Sequence, residues 1–168
     1  MKPILALALL ILSAAGQDNK TCPADLAGRF EFPHLIIPVD SQTPETAAGT
    51  SFFGTVTSNV SSIFNFDVPA NAANLTCSLW FLLPQTDNYQ FAGDGAVKFS
   101  QLASPANLGT TYANAPPVQA ELQTVKLAVG DQFLVATLPC PAGQSATFRM
   151  DNAGSTELNY FQDYNPPG

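Results

Sequence analysis

From residue 30 onward, apolar positions recur with a period of two, and no segment sustains the three-to-four spacing of a helix. Phe64, Phe66 and Val68 alternate with Asn65 and Asp67, which predicts a strand with one dry and one wet face. In the run 77–83, Ser78, Trp80 and Leu82 oppose Leu79, Phe81 and Leu83, so both faces are largely apolar. A strand of that kind is expected to be central, with Trp80 buried. Prolines at positions 33, 38, 44, 69, 84, 105, 116, 117, 139 and 141 interrupt the chain too often for long helices.

The pattern predicts strands over 30–39, 54–57, 61–68, 77–83, 89–92, 96–102, 124–129, 132–138, 146–150 and 158–162. Val129-Gly130-Asp131-Gln132 and Ala92-Gly93-Asp94-Gly95 resemble tight hairpin turns. Residues 103–120, with Pro105, Pro116 and Pro117, read as a long surface loop. The expected fold is all-β: an antiparallel β-sandwich of about eight to ten short strands, with a closed barrel as the alternative.

Residues 1–16 follow a different pattern: Lys2, an unbroken apolar run from Ile4 to Leu12, then Ser13-Ala14-Ala15-Gly16. The run is shorter than the roughly 20 residues a spanning helix needs, and it has the order of a cleaved secretory leader. The expected organisation is a signal peptide at 1–16, an N-terminal arm at 17–29 and one β-sandwich domain at 30–168. The C-terminus, Asp163-Tyr164-Asn165-Pro166-Pro167-Gly168, lacks the hydrophobic tail of a lipid-anchor signal, so release without a membrane anchor is expected.

Beyond the leader, Lys20, Arg29, Lys98, Lys126 and Arg149 face thirteen carboxylates, a net charge of −8. With the basic residues scattered singly, an acidic surface argues against nucleic acid and anionic lipid as partners.

Three cysteines occur, Cys22, Cys77 and Cys140. An oxidising compartment favours one pair, and Cys77 with Cys140 is expected because both border strand-like runs, where a bridge would tie two sheets. Cys22 would then be left over as a free thiol or an intermolecular link; the alternative is that Cys22 itself pairs with one of the other two. Asn19, Asn59 and Asn74 each open an Asn-x-Ser/Thr triplet without a central proline, so glycosylation of at least one is expected.

Candidate chemistry is sparse. His34 is the only histidine, which excludes zinc sites built on several histidines. A nucleophilic triad on it lacks a Gly-x-Ser-x-Gly elbow, and its strand setting predicts a packed side chain bonded to a carbonyl. Glu31, Asp40, Asp67 and Asp163 are candidates for a hydrolytic carboxylate pair, with turn and capping roles favoured. Asp87, Asn88 and Asp94 gather hard oxygens in one region but match no calcium-loop spacing. No catalytic residue, metal site or cofactor is expected. Tyr160, Tyr164 and Asp163 form a candidate sugar platform in an aromatic segment with Phe161 and Gln162, against a competing reading of Tyr160 as core.

Several stretches resemble one family: Phe30-Glu31-Phe32-Pro33-His34-Leu35-Ile36-Ile37-Pro38-Val39-Asp40, Gly49-Thr50-Ser51, Ser62-Ile63-Phe64-Asn65-Phe66-Asp67-Val68-Pro69 and Tyr160-Phe161-Gln162-Asp163-Tyr164. Cys77-Ser78-Leu79 and Cys140-Pro141-Ala142-Gly143-Gln144 fall where that family carries its cysteines. Across residues 30–165 the chain is similar to the fungal ubiquitin-three-binding-protein C-terminal domain family. The resemblance implies a small, secreted, β-rich fungal protein without established enzymatic activity, and it supplies no active-site residues to transfer. The family takes its name from a protein that binds an intracellular enzyme of ubiquitin-like conjugation, whereas the leader here points to the secretory lumen. The expected function is therefore structural or interactive, at a fungal cell wall or in its surroundings, without catalysis. A carbohydrate-binding module and a small carboxylate-dependent polysaccharide hydrolase are the alternatives. Cell-wall polysaccharide or an extracellular protein is the expected partner.

Overall fold

The computed structural model describes residues 30–85 and 88–162. The expected leader and arm, with Asn19 and Cys22, and Asp87, Asp163 and Tyr164 lie outside the described residues. Among the described residues, ten strands and one short 3-10 turn are formed. The strands are β1 (Leu35–Asp40), β2 (Phe53–Val56), β3 (Val60–Asp67), β4 (Thr76–Leu82), β5 (Tyr89–Ala92), β6 (Ala96–Leu102), β7 (Val118–Lys126), β8 (Gln132–Pro139), β9 (Ser145–Asn152) and β10 (Glu157–Phe161). Every pairing is antiparallel. No helix among the described residues is long and apolar enough to cross a membrane.

The architecture is the expected sandwich. A five-stranded sheet, β1-β3-β9-β6-β7, forms one layer, and a three-stranded sheet, β2-β10-β5, with a two-stranded ribbon, β4-β8, forms the other. Between them lies a core of Ile36, Phe64, Val97, Phe99 and Met150 from the large sheet and Val56, Phe81, Leu83, Val135 and Leu158 from the opposite side. Alternation along each strand puts these side chains on one face, and their removal from water drives the two layers together.

Consecutive strands seldom pair; of the observed ladders, only β6 with β7 joins sequence neighbours. Both turns expected to be hairpins are instead corners between sheets. Residues 92–95 carry the chain from β5 in the small sheet to β6 in the large one, and 127–131 from β7 to β8. Gly93 sits at φ +86, and a Cβ there would lie 1.9 Å from the carbonyl oxygen of Ser155. The corner thus requires glycine for both its backbone angle and its close approach.

Three other expectations need correction. First, β4 is not central: it pairs with β8 alone. Trp80 is on the outer side of this ribbon, 39% exposed and opposite Leu134, while Leu79 and Phe81 supply the core. Second, β1 starts at Leu35, after a bend at His34, and β7 starts at Val118, which takes 118–120 away from the expected loop. Pro38 is tolerated in β1 because that strand is an edge, where a missing N–H breaks no second ladder.

Third, the face of β3 predicted to be wet is wet only at its end: Asp67 is exposed, but Asn65 is buried. Ile37, Val39 and Ile63 form a second apolar cluster with Leu102 and Ala106, the last in the long loop between β6 and β7. Asn65, 3% exposed, anchors that loop: its Nδ2 donates to the Ala106 carbonyl (2.8 Å), and its Oδ1 accepts from the Ala106 N–H (3.2 Å) and from Thr147 Oγ1 (3.1 Å).

Candidate functional site

The Cys77–Cys140 disulfide forms (Sγ–Sγ 2.08 Å). It does not tie one layer to the other, as the sequence suggested. Cys77 is in β4 and Cys140 directly follows β8, whose last residues pair with the start of β4, so the bridge staples the ribbon to itself. The Cys140 N–H also donates to the Leu75 carbonyl (3.0 Å).

Two of the candidate carboxylates, Asp40 and Asp67, lie far apart. Asp40 Oδ1 accepts from the Gln42 N–H (2.8 Å), a local turn. Asp67 Oδ1 accepts from Ser145 Oγ (2.7 Å) at the far end of the β1–β3 ladder. Asp40 is opposite Val60, and the seven-residue step from there to Asp67 spans about 24 Å, beyond the roughly 5–10 Å of a glycosidase pair. Glu31 is exposed. His34 is also exposed rather than packed, with Nδ1 3.3 Å from Asp67 Oδ2, because the bend ahead of β1 turns it out of the strand.

Asp94 is committed to the β5–β6 corner. Its Oδ1 accepts from the backbone N–H groups of Ser155 (3.0 Å) and Ala96 (3.1 Å) and from Thr156 Oγ1 (3.2 Å). These donors, the Ser155 amide foremost, hold its carboxyl below the usual value. No group of three or more His, Cys, Asp or Glu side chains that would hold a metal occurs among the described residues.

Tyr160 faces inward. Its ring meets Phe81 edge to face, with centroids 5.5 Å apart, and lies over Gly54, its partner across the ladder. Burial pushes its hydroxyl well above the ordinary tyrosine value. A Cβ on Gly54 would come within 2.3 Å of the ring, so the glycine exists to make room for it. Gly54→Ala is accordingly expected to cost about 1–3 kcal/mol through overpacking, read as a lower denaturant midpoint; an unchanged midpoint would show that the ring moves freely.

The same strand turns its other face outward, and there β2-β10-β5 presents an ordered surface. Across the middle, Asn159 is opposite Thr55 on one side and Gln90 on the other, and Asn159 Nδ2 donates to Thr55 Oγ1 (2.8 Å). At one end Phe161 is opposite Phe53, rings edge to face at 5.6 Å, and the two are 49% and 42% exposed. At the other end Glu157 is opposite Ala92. A groove of about 510 Å³ lies toward the Glu157 end of this sheet, bordered by Thr57 and by residues 89–92 and 157–159, and the Phe53–Phe161 pair is not part of its lining. From Glu157 to Phe161 the face extends about 13 Å.

Of the platform candidates read from the sequence, Tyr160 is on the inner face of β10, and Asp163 and Tyr164 lie outside the described residues. The outward triplet Glu157, Asn159 and Phe161 was legible in the period of two; its companions Phe53, Thr55 and Gln90 were not, because they come from strands more than sixty residues away.

Chemically, this is an open platform that offers amide and hydroxyl groups to a polar chain and aromatic edges and faces to its apolar side. Fold and face together define a β-sandwich with a mixed polar and aromatic sheet surface that is open among the described residues. Residues 31–166 match the family described as the ubiquitin 3 binding protein But2 C-terminal domain, and the chain belongs to that family. It is also 27% identical over 169 residues to an uncharacterized but2-like protein of Schizosaccharomyces pombe. That match covers 94% of this chain and 36% of the relative, so the chain spans about a third of the relative's length.

Proposed function

We propose that this chain is an extracellular, non-catalytic recognition protein of a fungal surface, and that the outer face of β2-β10-β5 holds a neutral polysaccharide of the wall or its surroundings. The leader pattern and the disulfide support an oxidising, extracellular setting, and the fission-yeast relative supports a fungal one. The observation that carries the binding reading is the ladder Thr55-Asn159-Gln90 flanked by Phe53 and Phe161 on one open sheet. Sugar hydroxyls exchange hydrogen bonds with amides and hydroxyls, while the C–H face of a pyranose packs on an aromatic ring. The net charge of −8 beyond the leader disfavours acidic polymers. The wide separation of Asp40 and Asp67 supports binding without hydrolysis.

Retention on insoluble chitin and β-glucan tests the reading. The double substitution Asn159→Ala, Phe161→Ala is expected to weaken retention at least tenfold, equivalent to about 1.4 kcal/mol, whereas Trp80→Ala on the ribbon leaves it unchanged. If neither polymer retains the unaltered protein, polysaccharide recognition is excluded; if Trp80→Ala alone abolishes retention, the binding face is the ribbon.

A further inference from the structure

On the opposite side of the β2–β3 turn is a second, smaller hollow of about 170 Å³, bordered by Ser41, Asn59, Tyr112, Arg149, Asp151 and other short polar side chains. It is a built site. The side chains of Arg149 and Asp151 are only 16% and 19% exposed, with Arg149 Nε donating to Asp151 Oδ1 (2.8 Å). Ser61 Oγ donates to the same carboxylate oxygen (2.6 Å) and accepts from Arg149 Nη2 (3.3 Å). The guanidinium lies 5.4 Å from the centroid of the Tyr112 ring, which keeps 40% of its surface open. Charges are matched within the cluster, so the hollow suits a neutral polyhydroxyl group with an apolar side rather than an ion.

Asn59, which opens the triplet Asn59-Val60-Ser61, is on the rim of this hollow. Its backbone is held from both sides: the N–H donates to Thr57 Oγ1 (3.2 Å), and the carbonyl accepts from the Ser41 N–H (2.9 Å). Asn74, by contrast, occupies an exposed turn at φ 65, followed by exposed Leu75 and Thr76.

We propose that a glycan on Asn59 is held against the protein, with its first N-acetylglucosamine seated in the Arg149–Tyr112 hollow, while a glycan on Asn74 stands free in solvent. This rests on the extracellular reading above. In the transfer, the C1–O bond of a lipid-pyrophosphate-linked oligosaccharide breaks, C1 bonds to Asn59 Nδ2, and the amide nitrogen gives up one proton as lipid pyrophosphate leaves. Ser61 is 7% exposed and its hydroxyl is locked to Asp151 once β3 pairs with β9, so the transfer precedes that pairing. The seated sugar then covers the cluster and stiffens the β2–β3 turn.

The test uses the full chain secreted from a eukaryotic host, digested under native conditions with a peptide N-glycosidase, with release at each site followed by mass spectrometry. The Asn59 glycan is expected to be released at least tenfold more slowly than the Asn74 glycan, and Tyr112→Ala to remove most of that difference. Denaturation should equalise the two rates. Equal native rates, a difference unmoved by Tyr112→Ala, or occupancy of Asn74 without Asn59 would each overturn the seating. Absence of glycan at both sites, with the leader retained, would overturn the extracellular reading itself.

Discussion

Replacing Cys77 and Cys140 together by alanine is expected to lower the stability of the fold by about 4 kcal/mol. The bridge closes a loop with a sequence separation of 63, and the chain-entropy relation for a loop of that length gives this magnitude. Against a total of about 5–15 kcal/mol for a domain, the loss is large. Position makes it larger in consequence: β4 and β8 form a ladder only with each other, so when the staple is cut the ribbon keeps its core packing and the Gln123 side chain of β7, which donates to the Leu134 and Val135 carbonyls, but no second ladder. Phe81, Leu79, Val135 and Phe133 enter the core from these two strands, and loosening them exposes one side of the sandwich. The paired substitution is the proper test, since a single one would leave a thiol free to pair with Cys22. Denaturant midpoints of the unaltered and doubly substituted proteins, each with and without reductant, supply the measurement. Only the unaltered protein should respond to reductant; a double variant within 1 kcal/mol of it would show that packing and the Gln123 bonds hold the ribbon without the staple.

Much of the strand layout was legible because a two-residue period survives wherever one face is buried. Eight of the ten strands fall close to where alternation placed them; β1 and β7 differ most. What alternation does not encode is the neighbour. Trp80 read as central because both sides of its strand are apolar, yet a strand with an uncovered apolar side has the same pattern. The turns at 92–95 and 127–131 have hairpin chemistry, but glycine at a corner between sheets satisfies the same local demand. With most ladders joining strands distant in sequence, the groups that share a face, Thr55, Gln90 and Asn159 above all, assemble only in three dimensions. The inward position of Tyr160 follows the same rule: the period separates it from Phe161, but only the partner across the ladder, Gly54, shows which of the two points in.

Asn65→Ala is expected to cost about 3 kcal/mol and to release the loop between β6 and β7 while the sandwich remains folded. The magnitude follows from what the substitution strands: the Ala106 N–H, the Ala106 carbonyl and the Thr147 hydroxyl lose a partner where Ala106 and Thr147 are 5% and 2% exposed. An unpaired buried polar group costs about 1–3 kcal/mol, and part of that is recovered if the loop lifts and admits water. The amides of Thr110 and Ala113, bonded to the carbonyls of Asn107 and Pro44, should then exchange hydrogen faster, whereas those of the β3–β9 ladder keep most of their protection. Asn65→Asp keeps the acceptor oxygen but loses the donor to Ala106 and brings a charge into a buried place, so it should be no milder. Because the loop also carries Tyr112, its release would open the hollow beside Asn59 and speed glycan removal there without touching the platform on β2-β10-β5. If Asn65→Ala leaves exchange at Thr110 and Ala113 unchanged, the loop is held by its apolar contacts with Ile37, Val39 and Leu102 rather than by this amide.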